Sequence, residues 1–125
     1  MNITALSIKH QSPGLIAYTA SKAALASLTM NLARTLSAEG ILVNAVAPGA
    51  VLTGHIAAAV RAAGGDDADP NDAYRVMAAQ YGTTVDLQRV GLPAEVAEVV
   101  AFCASQANTY MTGAHINLDG GSDFS

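Results

Sequence analysis

Ile41-Leu42-Val43-Asn44-Ala45-Val46-Ala47 is the stretch that decides the fold, because it is apolar at nearly every position and is followed by Pro48-Gly49. A strand with one solvated face alternates polar and apolar residues. A strand of a parallel sheet that is covered on both faces instead reads as a continuous apolar run. The stretch therefore predicts a buried strand in a parallel sheet, with helices packed over it.

The flanking segments supply further strands and the helices. Met1 to Leu6 reads as the end of a strand, and a Pro-Gly loop separates it from the first helix. Apolar periodicity, first-turn prolines and glycine breaks predict these further elements: a helix from Ala17 to Leu36 (about 17–38 at its outer limits), helices over Ile56–Ala63 and Asp72–Tyr81, a helix opened by Pro93 and a last strand His115–Leu118. This order of strands and helices predicts an α/β chain.

The segment Tyr18–Leu36 is apolar on almost every side of its helix, and Lys22 and Arg34 are its charged residues. Such a helix is expected to be buried on more than one side. Its many small residues permit a second helix to approach closely. We therefore expect a homo-oligomer, formed through this helix and the C-terminal strand.

The composition narrows the class of protein. With 125 residues, of which 51% are hydrophobic and 13% charged, the chain is long and apolar enough to form one packed domain or part of one. The net charge of −4 and the lack of a basic run argue against nucleic acid or an anionic membrane as a partner. No signal peptide and no apolar run of membrane-spanning length is visible, and one cysteine suits a reducing compartment, so a cytoplasmic protein is expected.

Tyr18 and Lys22 lie four positions apart, so their side chains leave one face of a helix. A phenol is a weak acid at neutral pH, and a cation held beside it favours the phenolate. Such a tyrosine can exchange a proton with an alcohol oxygen while hydride moves at the adjacent carbon. The pair alone is also compatible with a packed ring and a solvated amine.

The surrounding residues add a resemblance. In order along the chain stand these motifs: Tyr18-Thr19-Ala20-Ser21-Lys22, then Val43-Asn44-Ala45-Val46-Ala47-Pro48-Gly49 with Thr53, then Arg89-Val90-Gly91-Leu92-Pro93-Ala94-Glu95-Val96-Ala97, then Tyr110-Met111-Thr112-Gly113 followed by Asp119-Gly120-Gly121. Together they resemble the C-terminal half of the short-chain dehydrogenase/reductase family. The resemblance implies the second half of a Rossmann-like, doubly wound parallel sheet, so that residues 1–125 form an incomplete domain.

The resemblance also implies an activity, namely NAD(P)-dependent hydride transfer between nicotinamide and an alcohol or carbonyl substrate. Tyr18 would be the acid/base, and Lys22 would bind the nicotinamide ribose and promote the phenolate. The nicotinamide end of NAD or NADP would be held by the backbone of Pro48, Gly49 and Val51 together with the Thr53 hydroxyl. Residues 50–92 would form the substrate-covering region.

Two features depart from the family pattern. The Gly-rich turn that holds the pyrophosphate of a dinucleotide is absent from residues 1–125. This leaves an alternative, a truncated non-catalytic fragment that acts by self-association or by pairing with a full-length relative. In addition, Ala5 stands thirteen residues before Tyr18, where the family has a serine that donates to the substrate carbonyl. Ser7 replaces that serine only if the loop is remodelled.

Other candidate sites have simpler interpretations. The acidic stretch Asp66–Asp72 lacks the glycine and the terminal glutamate of a calcium loop, so a solvated loop, or a flexible lid over substrate, is favoured. The three histidines, His10, His55 and His115, lack metal-ligand spacing, and no metal site is predicted. Cys103 lies on the predicted core face of its helix, which favours packing over chemistry.

Overall fold

The computed structural model describes residues 1–10 and 12–122. In chain order the strands and α-helices are β1 (Asn2–Ile3), α1 (Ile16–Leu36), β2 (Ala45–Pro48), α2 (Gly54–Ala62), α3 (Pro70–Tyr81), α4 (Pro93–Ala104) and β3 (His115–Leu118). Short 3₁₀ turns occupy Leu6–Ile8, Pro13–Leu15 and Ser37–Glu39. The chain is therefore an α/β unit, as the element order predicts.

The three described strands form one parallel sheet in the order β1-β2-β3. Val46 of β2 lies opposite Ile3 on one side and Ile116 on the other. Ala45, Val46 and Ala47 are fully buried, which confirms the predicted buried strand of a parallel sheet. The architecture matches part of a Rossmann-like doubly wound fold.

The ladder of β2 begins at Ala45, later than the predicted start of the strand at Ile41. Asn44, just before it, is buried; its backbone carbonyl accepts from the Asn2 N–H over 2.9 Å, while its side chain bonds the loop that precedes β3. Its Nδ2 donates to the Met111 carbonyl over 2.7 Å, and its Oδ1 accepts from the Ala114 N–H over 3.0 Å. The side-chain amide thus ties the start of β2 to the loop that precedes β3.

Helix α1 packs on the sheet through a single face. Thr19, Thr29 and Ala33 are its buried residues, and the Asn2 Nδ2 of β1 donates to the Thr29 hydroxyl over 2.9 Å. The predicted burial on more than one side is wrong for this chain by itself, because Leu28 and Met30 are 49% and 54% exposed. The sheet covers only one stripe of the helix, and no described element covers the rest.

Helices α2 and α3 form a small core of their own, in which Val60, Ala73 and Val90 are fully buried. Helix α3 begins at Pro70, two residues before the predicted start. Asp69 caps it, because its carboxylate accepts from the Asn71 N–H over 2.8 Å, and this bond lowers the pKa of Asp69. Residues 66–69 therefore form a solvated, hydrogen-bonded turn, and Pro70–Asp72 begin the helix.

Helix α4 begins at Pro93 and β3 spans His115–Leu118, both as predicted. Cys103 of α4 is buried, which confirms its packing role. Within residues 1–10 and 12–122, no helix combines the length and the apolar character that a membrane span needs.

Candidate functional site

Tyr18 and Lys22 lie together in the first turns of α1. The Lys22 Nζ is 5.7 Å from the centroid of the Tyr18 ring. Tyr18 is 46% exposed, so its phenol faces open space rather than the core. The pair is therefore an ammonium beside an accessible aromatic ring, and it is not packed away.

Lys22 also fixes where this pair sits on the sheet. Its Nζ donates to the carbonyl oxygen of Ile3, the last residue of β1, over 2.8 Å. Ile3 pairs with Val46, and Pro48 follows two residues later at the end of β2. In open α/β sheets ligands bind beyond the carboxyl ends of the strands. The structure thus brings Lys22 to the edge at which that rule locates a ligand.

The Pro48-Gly49 turn lies at the same edge and is tightly packed. The Gly49 N–H donates to the Leu118 carbonyl over 3.0 Å, so it is not available to a ligand. A Cβ on Gly49 would lie 2.9 Å from the Cβ of Asp119, which leaves no room for a side chain. Gly49 therefore shapes the turn by close backbone approach.

Val51 follows this turn and forms a parallel bridge with Gly91. The bridge bonds run from the Gly91 N–H to the Ala50 carbonyl (2.9 Å) and from the Leu52 N–H to the Gly91 carbonyl (2.8 Å). In this pattern the N–H of Val51 itself points away from Gly91. It has no hydrogen-bond partner among the described residues, so it is open to an acceptor.

Thr53 precedes α2 in the N-cap position. Threonine usually caps a helix with its hydroxyl. Here its side chain is exposed and makes no capping bond, although its N–H donates to the Val51 carbonyl over 2.7 Å. The hydroxyl of Thr53 is therefore free to bond a ligand next to Val51.

An ion pair between Arg89 and Glu95 stabilises the segment that contains Gly91. Arg89 donates through both terminal nitrogens to the Glu95 carboxylate, over 2.9 Å and 2.6 Å. The Leu92 N–H also donates to Glu95, over 2.7 Å. The Arg89 bond first and the Leu92 bond second lower the pKa of Glu95 to about 2. A cavity of about 90 Å³ lies beside the pair and is lined by Val51 and Asp119 among others.

Thr4 and Ser7 flank Ala5 between β1 and α1, and the structure shows whether their hydroxyls could donate to a substrate. Ala5 is buried and carries none. The single hydrogen of the Thr4 hydroxyl is already donated to the Val46 carbonyl over 3.1 Å, and the hydroxyl oxygen also bonds the His115 Nε2 over 2.7 Å. Ser7 is different, since its buried Oγ has no partner among the described residues. Thr4 therefore cannot replace the serine, and Ser7 points inward.

The histidines do not gather into a site. His10 and His55 are exposed, and His115 is bonded to Thr4. Burial, and after it the charge of Lys9, lowers the pKa of His115. A wider depression of about 380 Å³ lies at the opposite, amino ends of the strands, where Met1, Asn44 and Cys103 line it. It lies away from the Tyr18 pair.

The donors at the carboxyl edge fit the nicotinamide end of a dinucleotide. A ribose offers hydroxyl oxygens and a carboxamide offers a carbonyl oxygen. Lys22 keeps N–H donors beyond the one given to Ile3, and Val51 offers a backbone N–H. Thr53 adds a free hydroxyl.

Sequence reasoning missed several contacts that build this edge. These are the bond from Lys22 to Ile3, the packing of Asp119 on Gly49, and the bridge between Val51 and Gly91. Each joins residues far apart in the chain, and no local pattern reports such pairings. The Arg89–Glu95 pair could have been predicted from the sequence, because opposite charges flank the helix start at Pro93.

Comparisons with known proteins identify the family of this chain. A family model described as enoyl-(acyl carrier protein) reductase matches residues 1–123. The diacetyl reductase [(S)-acetoin forming] of Staphylococcus aureus is 36% identical over 124 residues, which are 99% of this chain and 47% of that protein. The chain therefore spans less than half the length of this curated relative.

Solved structures extend the match to three dimensions. The structure of ElxO with NADP bound has a TM-score of 0.81 and 25% identity over 99% of this chain and 46% of that one. A short-chain type dehydrogenase/reductase from Mycobacterium ulcerans has a TM-score of 0.79 and 27% identity, over 98% of this chain and 40% of that one. The family model matches nearly the whole length of this chain. This chain therefore belongs to the short-chain dehydrogenase/reductase family of oxidoreductases.

Proposed function

We propose that this chain carries the catalytic edge of an NAD(P)-dependent oxidoreductase, which transfers hydride between nicotinamide and an alcohol or carbonyl substrate. The observation that carries the proposal is the Tyr18–Lys22 pair, with the Lys22 ammonium anchored at the end of β1 and the Tyr18 phenol exposed beside it. The activity belongs to the whole protein, and this chain supplies the acid/base group.

Tyr18 is the proton carrier in this proposal. In the direction of alcohol oxidation its phenolate takes the proton from the substrate hydroxyl, and in the direction of reduction the phenol donates it to the forming alkoxide. The exposure of the ring permits a substrate oxygen to reach the phenol. An ammonium beside a phenolate stabilises its negative charge.

Lys22 is the partner of Tyr18. Its bond to the Ile3 carbonyl holds the ammonium at one point of the sheet edge, and its remaining donors are directed to ribose hydroxyls. One group therefore stabilises the phenolate and orients the cofactor. NAD or NADP supplies or accepts the hydride when bound, next to the Val51 N–H and the Thr53 hydroxyl.

The chemistry of relatives supports the substrate class. ElxO binds NADP, and the diacetyl reductase of Staphylococcus aureus forms acetoin from a dicarbonyl compound. We therefore propose a small alcohol or carbonyl compound as substrate.

The test is Tyr18→Phe in the full protein, assayed for NAD(P)H-linked turnover of a panel of carbonyl compounds that includes diacetyl. Phenylalanine keeps the ring and removes the proton, so we expect turnover to fall by about 10²-fold or more while cofactor affinity is retained. Tyr81→Phe is the matched control, because Tyr81 is an exposed tyrosine at the end of α3. Retained activity in Tyr18→Phe contradicts the acid/base assignment.

Self-association is a second proposal, favoured by the apolar side chains that α1 leaves uncovered. A second copy packed on α1 would bury Leu28 and Met30. Leu28→Glu is expected to shift the sedimentation coefficient to that of a smaller species, whereas Ala58→Glu, at an exposed position of α2, should not. A sedimentation coefficient that is the same in both variants and in the original chain contradicts this interface.

The alternative of a non-catalytic fragment makes a separate prediction. We expect residues 1–125 by themselves to show no measurable NAD(H) or NADP(H) binding by calorimetry at millimolar cofactor. Saturable binding would contradict that alternative.

A further inference from the structure

The turn after β3 is built by two glycines. Asp119 Oδ1 accepts from the Gly121 N–H over 3.0 Å, and the Asp119 carbonyl accepts from the Ser122 N–H over 3.3 Å. Gly120 has a φ of +64° and Gly121 a φ of +95°, values that side chains rarely permit. This tight turn lies directly beyond the sheet.

A second turn, Val85–Gln88, docks onto it. The Gln88 N–H donates to the Val85 carbonyl over 2.8 Å and closes this turn. The Leu87 N–H donates to the Gly120 carbonyl over 3.1 Å. Val85 is buried in the contact, and a Cβ on Gly120 would lie 2.7 Å from the Val85 Cγ1. The two turns therefore meet with no room for a side chain on Gly120, and a Cβ on Gly121 would likewise lie 2.8 Å from the Cβ of Asp86.

The docked turn leads directly into the site. Gly91 follows Gln88 by three residues and forms the bridge with Val51. Val90, between them, is fully buried and donates its N–H to the Pro70 carbonyl over 3.1 Å. The path from Gln88 to Gly91 is thus only three residues long, with Val90 anchored within it, so the turn and the bridge are close neighbours along the chain.

We infer that Gly120 is a positioning residue: it seats the turn Val85–Gln88, and that turn holds Gly91 against Val51, whose free N–H faces the cofactor in the proposed function. The cofactor-facing part rests on that proposed function. The coupling between Gly120 and the bridge does not, because it concerns only the contacts of this chain.

Gly82 is a useful comparison, because it distinguishes the positioning role of Gly120 from the ordinary preference of glycine for a left-handed turn. Gly82 has the same φ, +64°, but a Cβ there meets nothing within 4 Å. Gly82→Ala therefore introduces the backbone strain of a left-handed alanine without a clash. Gly120→Ala introduces the same strain and also the collision with Val85.

The experiment is amide hydrogen exchange on the full chain with each variant. In Gly120→Ala we expect the Leu52 and Gly91 amides, which form the bridge, to exchange about tenfold faster or more, as in a local opening. The Ala45 amide, bonded to the Ala114 carbonyl, should keep its rate relative to Gly82→Ala. Bridge amides that exchange as in Gly82→Ala, or a uniform rise at all three amides, overturn the inference.

A rescue variant tests the collision itself. Val85→Ala removes the Cγ1 that an alanine at position 120 would strike, so in the double variant Val85→Ala/Gly120→Ala the bridge amides should return towards the rates of Val85→Ala alone. No rescue overturns the inference. Should Gly120→Ala not fold, Val85→Ala alone carries the test, because it loosens the same contact and should speed exchange at Gly91 but not at Ala45.

In the full protein, Gly120→Ala should raise the KM for cofactor by about tenfold, with a much smaller change in kcat. If Tyr18→Phe keeps full activity while the bridge amides still respond to Gly120→Ala, the proposed chemistry fails and the positioning role stands. If the bridge amides do not respond, the positioning role fails whatever Tyr18 does.

Discussion

Lys22 donates a hydrogen bond from its ammonium to the carbonyl oxygen of Ile3, across 2.8 Å and 19 residues of chain. The bond joins α1 to the last residue of β1 and so sets the helix against the sheet edge. It also orients the Lys22 side chain, whose Nζ lies 5.7 Å from the centroid of the Tyr18 ring. The position of the candidate site thus depends on a contact with the backbone of a strand.

Removing this cation should impair turnover more than stability. Lys22→Met keeps an unbranched side chain but loses the ammonium, so both the phenolate and the ribose lose a partner. We expect kcat/KM to fall by about 10²-fold or more, with a loss of about 1 kcal/mol in the free energy of unfolding for the missing hydrogen bond. Arg34→Met, which removes an exposed cation from the same helix, is the control for steady-state kinetics and urea unfolding. Equal effects of both variants on turnover would refute a specific role for Lys22.

Restoring a hydroxyl at position 5 should speed catalysis. Ala5 is buried beside Thr4, whose hydroxyl is already committed to Val46 and His115. A donor at the substrate oxygen contributes about 3–4 kcal/mol to transition-state stabilisation where it is present. We therefore expect Ala5→Ser to raise kcat in the full protein by about tenfold or more. Ala20→Ser on the exposed side of α1 serves as control, and an unchanged kcat in Ala5→Ser means that another group already donates.

The Arg89–Glu95 pair should make stability depend on acid pH. The pKa of Glu95 is about 2 in the folded chain, below its ordinary value of 4.5. A carboxyl with a lowered pKa stabilises the fold fully above its ordinary pKa, and that contribution is lost as the pH falls towards the folded pKa. The difference in unfolding free energy between the original chain and Glu95→Gln should therefore shrink between pH 4.5 and 2.

Denaturant unfolding across that range measures this difference. Glu98→Gln removes an exposed carboxylate from the same helix and is the matched control. A difference in unfolding free energy between Glu95→Gln and the original chain that stays constant with pH would contradict the ion-pair account.

The side-chain amide of Asn44 should contribute more to the free energy of unfolding than an exposed side-chain hydrogen bond does. Asn44→Ala removes bonds to the Met111 carbonyl and the Ala114 N–H; it leaves the Ala114 N–H without its partner, while the Met111 carbonyl keeps only the bond from the Asn108 Nδ2. We expect a loss of about 2–4 kcal/mol in unfolding free energy. Asn31→Ala, which loses an exposed bond to Ser27, should cost well under about 1 kcal/mol. Similar losses for the two variants in urea unfolding would show that Asn44 is not a structural tie.

Much of the fold could be predicted from local patterns. The continuous apolar run before Pro48 predicted a buried parallel strand, and Ala45–Ala47 are buried at the centre of the sheet. Helix α4 and β3 begin where the first-turn proline and the glycine break predicted. Boundaries failed where side-chain bonds act at the start of an element, as those of Asn44 do before β2 and those of Asp69 do before α3.

The sequence by itself determined the α/β order, the family resemblance and the shared helix face of Tyr18 and Lys22, because hydrophobic period and residue spacing are local properties. Only the tertiary structure decided that Lys22 is tied to Ile3, that Gly49 packs on Asp119, and that the amide of Val51 is left free by its bridge to Gly91. Those contacts depend on which distant segments meet, and the packing of the whole chain selects them. Spacing along a helix cannot specify them.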